Sequence, residues 1–146
     1  MAAERRADVV WEGNLAQGSG RFTVGSGAFG EMPVTWASRT ESPDGKTSPE
    51  ELIAAAHASC FAMALSFVLG EGGNPPERLE VSATSTFEQA DGGFKISRMR
   101  LDVRGRVPGL DEEGFRTAVE QAEQGCPVSN ALRGNVDISV SARLEG

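Results

Sequence analysis

Eighteen consecutive residues, Leu52 to Leu69, carry no Asp, Glu, Lys or Arg. A stretch like that must be buried somewhere, and its surroundings say where. It only just reaches the length of a membrane span. Six alanines, Ser59, Ser66 and His57 dilute its apolar character, and neither an aromatic belt nor a basic flank follows. A core helix, apolar around much of its circumference, is therefore expected. Its start is well signalled: Ser48 as N-cap, Pro49 at the first helical position, and Glu51 completing Ser-x-x-Glu. Glu50 and Glu51 complement the helix dipole. Gly70 and Gly72-Gly73, with Asn74-Pro75-Pro76 beyond, should end it. Ile53, Ala56, Cys60, Met63 and Phe67 form one stripe, while Ala55, Ala58, Ser59, Ala62 and Ser66 keep other faces small. One thin sheet of a monomer this size cannot cover so much apolar helix. A second copy is expected to do so, in a two-fold symmetric dimer.

Around this helix the chain reads as short strands and two more helical segments. Val9-Val10-Trp11, Arg21 to Val24 and Pro33 to Trp36 are strands separated by glycine-bearing turns. Val81, Ala83, Ser85 and Phe87 alternate with polar residues. After Asp91-Gly92-Gly93, Met99, Leu101, Val103, Gly105 and Val107 alternate with Arg98, Arg100, Asp102, Arg104 and Arg106. Asp111 caps a helix whose apolar side is Phe115, Ala118, Val119 and Ala122. Gly125 ends that helix, and Pro127 opens a short one with Cys126 at its N-cap. Val136, Ile138, Val140 and Ala142 alternate in a last strand. Three strands, a helix, two strands, a helix and a strand read as one α+β domain over residues 1–146, with an antiparallel sheet.

Composition narrows the function. Net charge is −7, against nucleic acid or anionic membrane as partner, so the arginine row reads as a solvated sheet face. Two cysteines and one histidine fall short of a structural zinc set, and no cofactor is implied. No apolar run follows the charged N-terminal residues, so a cytoplasmic location is expected. There a stable structural disulfide is unusual, and a cysteine pair is more often transient and catalytic.

The two cysteines sit in complementary settings, Cys60 within the uncharged helix and Cys126 at a helix start. Taken alone, Cys60 reads equally as a buried small hydrophobe or as a nucleophile. Pro49-Glu50-Glu51-Leu52, His57-Ala58-Ser59-Cys60-Phe61 and Cys126-Pro127-Val128-Ser129 carry more. With Trp11-Glu12-Gly13 and Val107-Pro108-Gly109, they resemble the OsmC/Ohr family, the osmotically inducible protein C and organic hydroperoxide resistance proteins. Arg39 before the helix and His57 after the Ala triplet place the resemblance nearest the OsmC branch. It runs over nearly the whole chain, and its two cysteines lie 66 residues apart (126 − 60).

The resemblance implies an OsmC-like fold and an intertwined homodimer enclosing the two central helices. It implies a thiol-dependent peroxidase, acting on organic hydroperoxides, with Cys60 as nucleophile and Cys126 as the resolving thiol. Arg39 is implied as the cation that activates Cys60, and Glu50 as the carboxylate that orients Arg39. A dithiol, such as a lipoyl-bearing protein, would reduce the product disulfide. His57 offers a rival, because a Cys–His dyad suits acyl transfer. Yet groups at i and i+3 rarely aim their reactive atoms at each other, so packing is the expectation for His57. The non-enzymatic alternative is a dimeric protein binding a lipid-like ligand in the groove between the helices.

Overall fold

The computed structural model describes residues 1–145, which divide into two compact units, Met1–Leu52 and Ile53 onward. The first unit holds β1 (Ala7–Glu12), β2 (Ser19–Val24) and β3 (Met32–Val34) in an antiparallel sheet of that order, followed by α1 (Trp36–Thr40). Phe22 is its buried hydrophobic side chain and packs edge-on against Phe29, with ring centroids 6.1 Å apart. Every residue of β1 is exposed. The helix α1 stands where the sequence suggests strand running into Arg39. Its cause is local: the Ser38 N–H donates to Thr35 Oγ1 and the Thr35 N–H to Ser38 Oγ, a reciprocal capping box.

The helix α2 (Pro49–Glu71) starts in the first unit and runs on through the second. Ser48 Oγ accepts from the Glu51 N–H, and the Glu51 carboxylate accepts from Thr47 Oγ1. At the far end Asn74 N–H donates to the Leu69 carbonyl and Gly73 N–H to that of Gly70, a Schellman motif. It needs the left-handed φ of +87° that Gly73 supplies.

In the second unit β4 (Arg78–Ala90), β5 (Gly93–Arg106) and β6 (Asp137–Leu144) form a sheet with β5 in the middle. The β4–β5 hairpin is antiparallel, but β6 runs parallel to β5, from Arg98 opposite Asp137 to Gly105 opposite Leu144. The sheet is thus mixed where a wholly antiparallel one was expected, within the expected α+β class. A parallel neighbour requires a long crossover, and α3 (Glu112–Gly125) with α4 (Pro127–Leu132) provides it.

The core lies between helices and one sheet face. Phe61, Leu65 and Leu69 of α2, Leu101 and Val103 of β5, and Phe115, Ala118, Val119 and Ala122 of α3 form one buried cluster that includes Cys126. On α2 the buried stripe is His57, Phe61, Leu65 and Leu69, not the neighbouring stripe that ends in Met63 and Phe67. Those two residues are 71% and 68% exposed. By length and hydropathy α2 also qualifies as a membrane span, yet its inner stripe is built into this core. The arginines of β5 face outward, and Arg100 pairs with Asp102 at 3.3 Å.

Gly105 marks the tightest approach in the core. A Cβ there would lie 2.6 Å from two ring atoms of Phe115, which has no exposed surface through which to move away. Gly105→Ala is therefore expected to destabilise by about 1–3 kcal/mol through overpacking. Thermal unfolding of the purified variant checks this, and an unchanged midpoint would mean the ring has room to yield.

Candidate active site

In the second unit the structure brings Cys60 and Cys126 together. Cys60 is half-buried on α2, and Cys126 is fully buried at the joint where α3 ends and α4 begins. Both are free thiols, and Cys126 lies near enough to act on the ionisation of Cys60. Cys126 makes no side-chain cap to α4, and Pro127 lacks an N–H, so the first open donor of that helix is Val128. The Val128 backbone lies near enough to Cys60 to favour its ionised form.

The electrostatics of this pair are unfavourable to a thiolate. Burial pushes the Cys60 thiol above its ordinary value, the Val128 N–H pulls it back, and Cys126 pushes it up again. The net direction is up. Among the described residues no cation enters that balance, and a neighbouring cation is what favours a thiolate.

His57 is fully buried one turn before Cys60, and its Nε2 lies 2.7 Å from Ser129 Oγ. Its Nδ1 has no partner among the described residues. Burial lowers its pKa, against the opposing charge of Glu123, which favours the neutral ring. The imidazole thus engages Ser129, leaving no Cys–His dyad in this structure.

The first unit holds the other sequence-derived pair. Arg39, at the end of α1, donates from Nε to Glu50 Oε1 at 3.0 Å and from Nη2 to Oε2 at 2.9 Å. Glu50, in the first turn of α2, is almost completely buried, whereas the Arg39 side chain keeps 31% of its surface. The guanidinium also lies 5.8 Å from the ring centre of Trp36. A two-point ion pair between a buried carboxylate and a planar cation fixes the cation's orientation. Beside it is a cavity of about 370 Å³ lined by Trp11, Leu15, Val34, Thr35, Trp36, Arg39 and Pro49. An apolar wall with one guanidinium suits a molecule that is greasy except at one polar end.

A pocket for an apolar peroxide could be walled from α2 by Ile53, Phe61 and Phe67. Phe61 instead has no exposed surface and belongs to the core of its unit. The role of Ser129 was missed, although it stands three residues after Cys126 as His57 stands three before Cys60. That matched spacing was the available signal. Trp36 was read only as strand, because the Thr-x-x-Ser cap of α1 is faint beside the extended residues before it. Among the described residues, no cluster of three or more His, Cys, Asp or Glu side chains is placed to hold a metal ion.

Comparison with known proteins shows the family. The family described as OsmC-like protein matches residues 42–141. Peroxiredoxin OsmC of Escherichia coli (strain K12) is 37% identical over 138 residues, covering 94% of this chain and 96% of that protein. An organic hydroperoxide resistance protein of Xanthomonas axonopodis pv. citri is 36% identical over 96 residues, 65% of this chain and 66% of that one. The crystal structure of the organic hydroperoxide resistance protein OhrB of Bacillus subtilis superimposes with a TM-score of 0.76 at 31% identity, covering 94% of this chain and 98% of that one.

Proposed function

We propose, from the premise that this chain belongs to the OsmC-like protein family, that it is a peroxiredoxin-like enzyme reducing organic hydroperoxides to alcohols. The nearness of two free thiols, Cys60 and Cys126, carries this reading. The Cys60 thiolate attacks the terminal peroxide oxygen, the O–O bond breaks, and the alkoxide leaves and takes up a proton as the alcohol. Cys60 is left as a sulfenic acid. Cys126 displaces its hydroxyl, forming a disulfide and water. An external dithiol, such as a lipoyl-bearing protein, returns both thiols and becomes a disulfide itself.

Arg39, oriented by Glu50, is the cation assigned to the thiolate and to the peroxide oxygen. The apolar cavity beside Arg39 supports a preference for organic over hydrogen peroxide. The protein works as one OsmC-like domain in an intertwined, cytoplasmic homodimer. Met63, Phe67, Val9 and Val10, all more than half exposed in the single chain, are the apolar surface such a dimer would cover.

Titrating the reduced protein with cumene hydroperoxide tests the reading. One equivalent per chain should consume both thiols and yield one Cys60–Cys126 disulfide, in a species that sediments as a dimer. Thiols that stay free would remove the peroxidase function and leave the ligand-binding alternative. An active monomer would remove the dimer.

A further inference from the structure

His57 and Ser129 stand in matching relation to the two cysteines. His57 lies three residues before Cys60 on α2, and Ser129 three residues after Cys126 on α4. Residues so spaced lie about one helical turn apart. The bond between His57 Nε2 and Ser129 Oγ is 2.7 Å long, and neither side chain has any exposed surface. One turn away, Cys126 and the Val128 backbone lie near enough to Cys60 to act on its ionisation. Apart from the contacts of Cys60 itself, no other side-chain hydrogen bond among the described residues joins α2 to α4.

The shortness of α4 makes that bond consequential. Six residues have little helical stability of their own, and Cys126 contributes no side-chain cap. The position of α4 against α2 therefore rests on a few groups. The histidine points the same way. Its Nδ1 is buried without a partner among the described residues, so a ring retained only to fill space would be poorly suited here. The bond to Ser129 is what the imidazole contributes beyond its volume.

We propose that the His57–Ser129 hydrogen bond is a positioning clamp that holds α4 against α2, so that Cys126 captures the oxidised Cys60 before a second peroxide does. The proposal rests on the reading of Cys60 as the oxidised thiol and Cys126 as its resolver. In the step it serves, Cys126 sulfur attacks the sulfenic sulfur, the S–S bond forms and the S–O bond breaks. The Cys126 proton departs with the hydroxyl as water. A disulfide needs its two Cα atoms within about 7 Å. A drift of α4 thus slows this step and leaves the attack on peroxide untouched. His57 and Ser129 are positioning residues, acting through Cys126.

The first measurement uses no peroxide and so stands apart from the peroxidase reading. Reduced and oxidised protein are equilibrated in dithiothreitol redox buffers. Ser129→Ala and His57→Leu should each lower the equilibrium constant of the Cys60–Cys126 disulfide about tenfold, a shift of about 30 mV. Both substitutions break the same bond, so the double variant should also lose about tenfold and not a hundredfold. Ser129→Thr, which keeps the hydroxyl, and His57→Gln, which keeps a side-chain N–H, should restore most of it. If Ser129→Ala does not fold, His57→Gln against His57→Leu makes the same comparison. The second measurement follows quenched reactions with cumene hydroperoxide by mass spectrometry. In Ser129→Ala, sulfenic acid should form at the wild-type rate, the disulfide about tenfold more slowly, and sulfinic acid at lower peroxide.

A wild-type disulfide equilibrium in Ser129→Ala, or a hundredfold loss in the double variant, overturns the clamp. If the equilibrium shifts as expected but peroxide oxidises neither thiol in the unaltered protein, the clamp on the disulfide is upheld and the peroxidase reading falls.

Discussion

Cys60→Ser is expected to abolish hydroperoxide turnover, lowering kcat/KM on the order of a thousandfold or more, as loss of a covalent nucleophile does elsewhere. The fold should survive. Ser59 shows how a mid-helix hydroxyl is satisfied in α2, its Oγ donating to the Ala55 carbonyl at 2.8 Å. A serine at 60 has the Ala56 carbonyl in the equivalent place. What it lacks is a thiolate, since an alcohol stays protonated at neutral pH and attacks peroxide poorly. Cys126→Ser should behave differently. It should consume about one equivalent of peroxide per chain and then stall, with Cys60 advancing to sulfinic acid because no internal thiol intercepts the sulfenic acid. Intact mass after graded peroxide separates the two variants. Repeated turnover by Cys126→Ser without overoxidation would remove its resolving role, and unimpaired turnover by Cys60→Ser would remove the whole scheme.

Much of the framework behind these variants is legible in the sequence, for local reasons. Ser48 and Pro49 open α2 and Gly73 closes it by capping chemistry that acts within a few residues. The alternation from Met99 to Gly105 gives the buried face of β5 because side chains in any strand alternate. That same rule hides the direction of β6. A half-exposed strand alternates whether its neighbour runs parallel or antiparallel, so Ile138, Val140 and Ala142 carry no mark of parallel pairing. Non-local contacts are concealed too. His57 and Ser129 are 72 residues apart, and only folding brings them together. The nearness of Cys60 to Cys126 is legible in the sequence solely through family resemblance. The bidentate reach of Arg39 to Glu50 depends on α1, a five-residue helix too short to announce itself by periodicity.

On the role proposed for Arg39, Arg39→Ala should raise the Cys60 pKa and slow the first step. Burial and Cys126 push it up, and the Val128 N–H only partly offsets them. A raised pKa means less thiolate at neutral pH, so the rate of peroxide attack climbs with pH until the thiol has ionised. A cation beside the sulfur stabilises the charged form and moves that climb to lower pH. An opposite charge within a few ångströms shifts a titrating group by about one to three pH units. Removing Arg39 should move the pH–rate curve upward by that amount, which at neutral pH is about a 10- to 1000-fold loss of thiolate. Thiolate absorbance against pH, read beside single-turnover rates, measures both. Arg39→Ala also strips the buried Glu50 carboxylate of its partner, at a cost of about 1–3 kcal/mol. A loss of activity could therefore reflect stability alone. Arg39→Ala combined with Glu50→Gln removes that ambiguity, because a neutral amide no longer leaves a bare charge in the protein. The double variant should regain stability while its Cys60 stays hard to ionise. If it regains the wild-type pH profile as well, Arg39 serves the fold and some other group activates the thiol.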